Sequence, residues 1–251
     1  MKRLIVLLLP VLHVAGQVSF DRLRQAEAEP GNWLTYSGNY AAHRHSRLNQ
    51  ITPANVKRLR LAWAYQVRTT EKIEASPLVV DGIMYLSEPG GSVTALDTRT
   101  ARPIWKYTRN LPKDARGCCG TVNRGVAILD DKVYVGTFDA HLVALDIKSG
   151  RVRWDVPVAD PALGHSITGA PLAIRGKIVV GMAGGEYGVR GFVDAYDAKT
   201  GQRAWRFWTV PDEGERGRET WAGNSAKNGS ATTWVTGAYD PEQNVVFWGT
   251  G

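Results

Sequence analysis

The sequence predicts an all-β chain that forms part of a β-propeller, and three observations carry that expectation. The first is a repeat. Ala95-Leu96-Asp97-Thr98-Arg99-Thr100 runs on to Trp105, Ala144-Leu145-Asp146-Ile147-Lys148-Ser149-Gly150 to Trp154, and Ala195-Tyr196-Asp197-Ala198-Lys199-Thr200-Gly201 to Trp205. All three fit Ala-x-Asp-x-x-Thr/Ser-Gly-x-x-x-Trp, except that Ala101 replaces the glycine in the first. The tryptophans stand 49 (154 − 105) and 51 (205 − 154) residues apart, a period of the size found in propeller blades. The second observation is alternation of apolar and polar residues in short runs, the mark of half-buried strands. The third is composition: nine tryptophans and 27 glycines in 251 residues lean toward a turn-rich, aromatic β chain.

In chain order, the start has the pattern of an export signal over residues 1–16. Lys2 and Arg3 precede an apolar run from Leu4 to Leu12, and Val14-Ala15-Gly16 offers small residues for cleavage before Gln17. The run is too short to span a membrane. Residues 31–56 are polar and turn-rich. Residues 59–67, with Trp63, read as the last strand of a blade. The second repeat is the clearest. It predicts strands over 125–129, 132–138, 141–145 and 151–154, joined by turns at Asp130-Asp131 and at 146–150, where Asp and Ser-Gly suit tight backbone geometry. The repeat tryptophans read as architecture, large flat groups packing between blades. Residues 233–239 and 245–250 read as two strands of a further blade. The expectation is therefore about three complete blades and two partial ones within residues 17–251. A propeller closes typically with 4–8 blades, so the chain is expected to be the N-terminal part of a longer protein.

The net charge of +7 is spread without a basic cluster, which gives no nucleic-acid signal. The only two cysteines are adjacent, in Gly117-Cys118-Cys119-Gly120-Thr121-Val122-Asn123-Arg124. Two readings stand at this point. The pair is either two small apolar residues in a glycine-rich turn, or a strained local disulfide of the kind tolerated where a rigid surface is needed. Export to an oxidising compartment would let the disulfide persist.

The repeat and the cysteine pair together resemble the quinoprotein alcohol dehydrogenases, which use pyrroloquinoline quinone (PQQ) and whose full propeller has eight blades. The resemblance runs from Asn32-Trp33-Leu34-Thr35-Tyr36-Ser37-Gly38, through Arg44-His45-Ser46, to Phe247-Trp248-Gly249-Thr250-Gly251. It implies that Cys118 and Cys119 form a disulfide lying flat against one face of PQQ, with Trp234 covering the other. It implies that Arg124 hydrogen-bonds the quinone end, that Glu74 lies at the cofactor edge, that Thr168 and Thr232 donate hydroxyl hydrogen bonds and that Val122 lies against the ring. Backbone donors come from Gly184 and Gly185. Ala183 stands where the family often has serine, a departure that removes a side-chain hydroxyl. Glu186, in a glycine-flanked loop, matches the family's metal-binding glutamate; a hard cation with oxygen ligands fits calcium, or a lanthanide. The family's catalytic aspartate and a further metal-ligating asparagine are expected downstream of Gly251, so no catalytic residue is assigned within the chain, and the chain alone is expected to be inactive.

The resemblance implies a periplasmic enzyme. It would oxidise a primary alcohol by hydride transfer to PQQ and pass electrons to a soluble cytochrome c, with no nucleic-acid partner and no membrane insertion. The rival from another class is a non-catalytic propeller acting as an interaction scaffold. A scaffold needs the blade tryptophans but not Cys118, Cys119, Arg124, Glu186 and Trp234. No zinc pattern, nucleotide loop or Ser-His-Asp signature is present, and His43, His45, His141 and His165 are assigned no chemistry.

Overall fold

The structure, a computed structural model, describes residues 18–251. The export-signal expectation for residues 1–16 lies outside the described residues. No helix among those described is long and apolar enough to cross a membrane.

Three four-stranded antiparallel sheets follow one another along the chain, each a meander in which consecutive strands pair. The first comprises β1 (Leu78–Val80), β2 (Ile83–Glu88), β3 (Ser92–Asp97) and β4 (Pro103–Tyr107). The second comprises β5 (Ala127–Leu129), β6 (Lys132–Gly136), β7 (His141–Asp146) and β8 (Val152–Pro157). The third comprises β9 (Leu172–Ile174), β10 (Lys177–Gly181), β11 (Phe192–Asp197) and β12 (Arg203–Trp208). A fourth sheet holds β13 (Ala238–Asp240) and β14 (Val245–Phe247). First strands are short and mostly buried, while β8 and β12 are largely exposed. This inside-to-outside gradient follows the strand order within each blade.

The repeat motif has a double purpose. Ala95, Ala144 and Ala195 face Trp105, Trp154 and Trp205 across the third and fourth strands, each beside a register shift. The aspartate closes the intervening turn: Asp146 Oδ1 accepts from the Ser149 N–H at 2.8 Å and hydroxyl at 2.7 Å, and Asp197 Oδ1 does the same with Thr200 at 2.9 and 3.0 Å. Gly150 and Gly201 hold φ of 68° and 76°, the left-handed region that glycine enters without steric cost. Ala101 holds φ of 56° at the same turn, a conformation costing an alanine roughly 1–2 kcal/mol. The glycines also make room for the preceding blade. A Cβ at Gly150 would overlap the Trp105 ring, and one at Gly201 would lie 3.0 Å from Trp154. Each indole then donates to the carbonyl after the neighbour's aspartate, Trp105 Nε1 to Ile147 at 3.0 Å and Trp154 Nε1 to Ala198 at 3.3 Å.

Residues 59–67 correct one expectation. They form no strand, because no ladder partner lies beside them among the described residues, and Leu61 is 85% exposed. Trp63 nonetheless donates to the Thr98 carbonyl at 2.8 Å, the same dock that Trp105 and Trp154 use on the next blade. The strands expected over 233–239 and 245–250 are shorter than that. Thr233 and Thr236 bond instead to Met182 and Ala170 of the third blade and its entry loop, so the backbone joins the ladder only at Ala238.

An N-terminal strap, which periodicity did not reveal, ties the sheets together. Val18 exchanges backbone hydrogen bonds with Asp130 after β5, and Trp33 does so with Val79 in β1. The Tyr40 hydroxyl donates to the Ala173 carbonyl in β9 at 2.6 Å, and the Tyr40 carbonyl accepts from Tyr239 in β13. Val18, Leu34 and Tyr40 are buried, so one segment touches the first strand, or the turn after it, in all four sheets.

The turn aspartates give an acid signature. Hydrogen bonds from Ser149 chiefly, and then Arg153, bring the Asp146 carboxyl down to about 2. A depressed folded-state value means that stability is fully present above the ordinary carboxyl range and is lost as pH falls through the folded value. Chemical denaturation between pH about 4 and about 2 is expected to show steadily falling stability, with a shallower fall in Asp146→Asn. Identical slopes would remove this turn from the acid response.

Candidate cofactor site

The loops that enter the first strands carry the predicted residues. Glu74, Arg124, Thr168 and Trp234 lie three or four positions ahead of β1, β5, β9 and β13 respectively. Each blade thus delivers one of them to a common end of the sheets. The four are joined across blade boundaries. The Ser76 N–H donates to the Arg124 carbonyl at 2.9 Å, and the Arg124 N–H to the Thr168 carbonyl at 3.0 Å. The Thr168 hydroxyl points to the Trp234 carbonyl at 3.4 Å.

Side chains converge as well. Arg124 Nη2 pairs with Glu74 Oε2 at 2.9 Å, and its guanidinium lies 4.9 Å from the centre of the Trp234 ring. Trp234 as a residue remains 41% exposed. Arginine over tryptophan is a favourable cation–π arrangement. The loop bearing Arg124 is fixed from below by Asn123, which is buried. Its amide donates to the Gly136 carbonyl at 2.7 Å and its oxygen accepts from the Gly125 N–H at 3.1 Å. Val122 is buried beside it.

Cys118 and Cys119 are bonded to each other, and no free cysteine remains. The pair is partly exposed on the same β4–β5 loop as Arg124, but outside the hydrogen-bonded group that Arg124 anchors. Phe138 fills the space against Gly117, and Glu71 lies against Gly120. Folded, unreduced protein is expected to take up no thiol-alkylating reagent, and two equivalents after reduction and unfolding, as read by intact mass. Two labels before reduction would contradict the bridge.

The β10–β11 loop supplies the remaining residues. Ala183 exchanges backbone hydrogen bonds with Ser166, two residues before Thr168. Gly184 has φ of 124°, and a Cβ there would lie 2.9 Å from Val189. Gly185 approaches Thr232, whose hydroxyl would lie 3.3 Å from a Cβ at that glycine. Thr232 is buried and donates through its hydroxyl and N–H to the Gly251 carbonyl, both at 3.0 Å. Glu186 is exposed on a single 3-10 turn, Gly185–Tyr187. No group of three or more His, Cys, Asp and Glu side chains forms a metal cluster among the described residues. Calcium takes about 6–8 oxygen ligands, backbone carbonyls and waters among them, and Glu186 is the carboxylate this loop presents. His165, close in the chain to Ser166, is pushed below its ordinary value by burial, opposed by its bond to the Asp160 carbonyl.

The arginine over a partly exposed indole suits a flat ligand that carries negative charge. The Arg124 cation, the Glu74 carboxylate and the partly exposed Trp234 meet from three blades, the Thr168 hydroxyl of a fourth bonds to the Trp234 carbonyl, and a disulfide lies on the Arg124 loop. Residues 33–251 match the family model described as PQQ, glucose/ethanol/alcohol dehydrogenase, beta-propeller domain. The chain belongs to this family. It is 43% identical to quinohemoprotein alcohol dehydrogenase ADH IIB of Pseudomonas putida, over 96% of the chain and 37% of that relative. It is 40% identical to the lanthanide-dependent methanol dehydrogenase of Methylacidiphilum fumariolicum, over 92% of the chain and 41% of the relative. The solved quinohemoprotein alcohol dehydrogenase from Comamonas testosteroni superposes with a TM-score of 0.87 at 41% identity, covering 93% of the chain and 37% of that structure. The chain therefore spans between a third and about two fifths of the relatives named here. Membership settles the fold class as a β-propeller. Sequence reasoning missed Asn123 and Thr233, which make the supporting hydrogen bonds. Both sit inside the motifs that drew attention, masked there by neighbours with more obvious chemistry.

Proposed function

We propose that this chain is the cofactor-clamping arc of an exported, PQQ-dependent alcohol dehydrogenase. The observation that carries this reading is the convergence of Glu74, Arg124, Thr168 and Trp234 from four successive blades, supported by membership of the PQQ propeller family. When bound, PQQ supplies a quinone that accepts a hydride from an alcohol. Trp234 and the Cys118–Cys119 bridge are the two faces of the clamp. Arg124 meets negative charge on the ligand, and Glu74 holds the guanidinium in place until the ligand arrives. Thr168 and Thr232 donate hydroxyl hydrogen bonds, and Gly184 and Gly185 allow backbone N–H groups to come close. Glu186 is one candidate ligand for calcium or a lanthanide. The names of the relatives, alcohol and methanol dehydrogenases, favour an alcohol as substrate. The reading adds to this a primary alcohol, cytochrome c as acceptor and the periplasm as the location.

The test is the full-length polypeptide carrying this sequence, supplied with PQQ and either calcium or a lanthanide. Short primary alcohols are expected to drive dye reduction that depends on PQQ. No PQQ-dependent reduction with any alcohol would overturn the reading.

A further inference from the structure

Thr233 lies between two residues assigned to the cofactor, Thr232 and Trp234, yet its own side chain faces away from them into the third blade. It is 1% exposed. Its hydroxyl accepts the Met182 N–H at 2.8 Å and donates to the Phe192 carbonyl at 2.6 Å. Its N–H donates to the Met182 carbonyl at 2.9 Å, and its carbonyl accepts from Trp248 Nε1 at 3.0 Å. Every polar group of the residue is engaged.

Met182 and Phe192 are the two ends of the β10–β11 loop, since β10 ends at Gly181 and β11 begins at Phe192. That loop carries Ala183, Gly184, Gly185 and Glu186. One buried hydroxyl therefore closes the neck of the loop from outside it. The neighbouring backbone reinforces the seam. The Gly191 N–H donates to the Ser230 carbonyl at 2.7 Å, and the Ser230 hydroxyl donates to the Gly185 carbonyl at 3.1 Å. Gly181 and Gly191 make the close approach possible: a Cβ at Gly181 would overlap the Thr233 carbonyl, and one at Gly191 the carbonyls of Ser230 and Ala231.

We infer that Thr233 is a positioning residue that locks the Thr232–Trp234 segment to the neck of the Ala183–Glu186 loop, so that this loop responds to the cofactor together with Arg124, which stacks on Trp234. This rests on the PQQ reading above. A buried hydroxyl that serves two backbone groups cannot be removed without leaving both unsatisfied, so the coupling depends on oxygen at this position and not on side-chain volume.

The experiment is amide hydrogen exchange on the full-length polypeptide with and without PQQ, for the parent, Thr233→Val and Thr233→Ser. In the parent, PQQ is expected to slow exchange both around Arg124 and across residues 182–191, by about fivefold or more in the latter, the factor that one net hydrogen bond represents. Thr233→Val should keep the protection around Arg124 and lose it across 182–191, and Thr233→Ser should restore both. Thr233→Val that lowers protection in both regions together marks a role in stability alone and overturns the inference. Thr233→Val with parent-like protection across 182–191 overturns the inference and leaves the PQQ reading intact. So does a parent in which PQQ protects the Arg124 region only, a result needing no variant. A parent that does not bind PQQ overturns both.

Discussion

Arg124→Ala is expected to weaken PQQ binding by about a hundredfold. Hydrogen bonds to charged groups contribute roughly 1.5–3 kcal/mol each, and each 1.4 kcal/mol is about tenfold in affinity. The truncation does more than delete a donor. It leaves the Glu74 carboxylate, paired with Arg124 at 2.9 Å, without its cation at the edge of an anionic ligand. The fold should survive, because the backbone bonds of residue 124 to Thr168 and Ser76 do not involve the side chain. Fluorescence titration with PQQ measures the loss. Arg124→Ala combined with Glu74→Gln should bind more tightly than Arg124→Ala alone, since the second change removes the unpaired charge, and the cycle isolates that coupling. Arg124→Ala with parent-like affinity would remove the guanidinium from the site.

Trp105→Ala is expected to have the largest effect on stability, about 3–5 kcal/mol, the range for deleting a large buried aromatic. Its side chain, 9% exposed, packs against Tyr85 of its own blade and over Gly150 of the next. The glycine cannot relax into the space, and the Ile147 carbonyl loses its donor. Trp105→Phe keeps much of the ring contact and loses the indole N–H, for a cost nearer 1 kcal/mol. Urea denaturation of the full-length polypeptide gives both values. Equal, small losses would mean that the blade seam does not depend on this side chain.

The blades were legible because their signal is local. The Asp and Ser/Thr-Gly of the turn and the tryptophan that follows are set by adjacent residues, and the second repeat's strands fall where alternation puts them. What local pattern cannot carry is a contact made across blades. The strap from Val18 to Tyr40 has no periodicity, and its bonds go to Asp130, Val79, Ala173 and Tyr239, far along the chain. Residues 59–67 have the composition of a strand, but a strand exists only beside a partner. Trp63 kept its dock while its backbone stayed unpaired, because the dock needs one carbonyl and the ladder needs a neighbour. In the site, Arg124, Glu74 and Trp234 were found through the resemblance and not through their spacing. The distances between them in sequence are large, and only the recurring position ahead of each first strand brings them together. Thr233 escaped because a threonine bonded to backbone looks like any other buried hydroxyl until the two ends of the loop are seen to meet on it. The scaffold reading would require the docked tryptophans alone, and gives no role to an arginine stacked on a partly exposed tryptophan and paired with a carboxylate.

PQQ held by these loops would lie between Trp234 and the Cys118–Cys119 bridge. A crystal structure of the full-length polypeptide with PQQ decides the point. The expected result is a planar quinone flanked by the Trp234 indole and the disulfide, with the Arg124 guanidinium moved off the indole onto the quinone and still in contact with Glu74. PQQ bound at another surface, with Arg124 remaining stacked on Trp234, would contradict it.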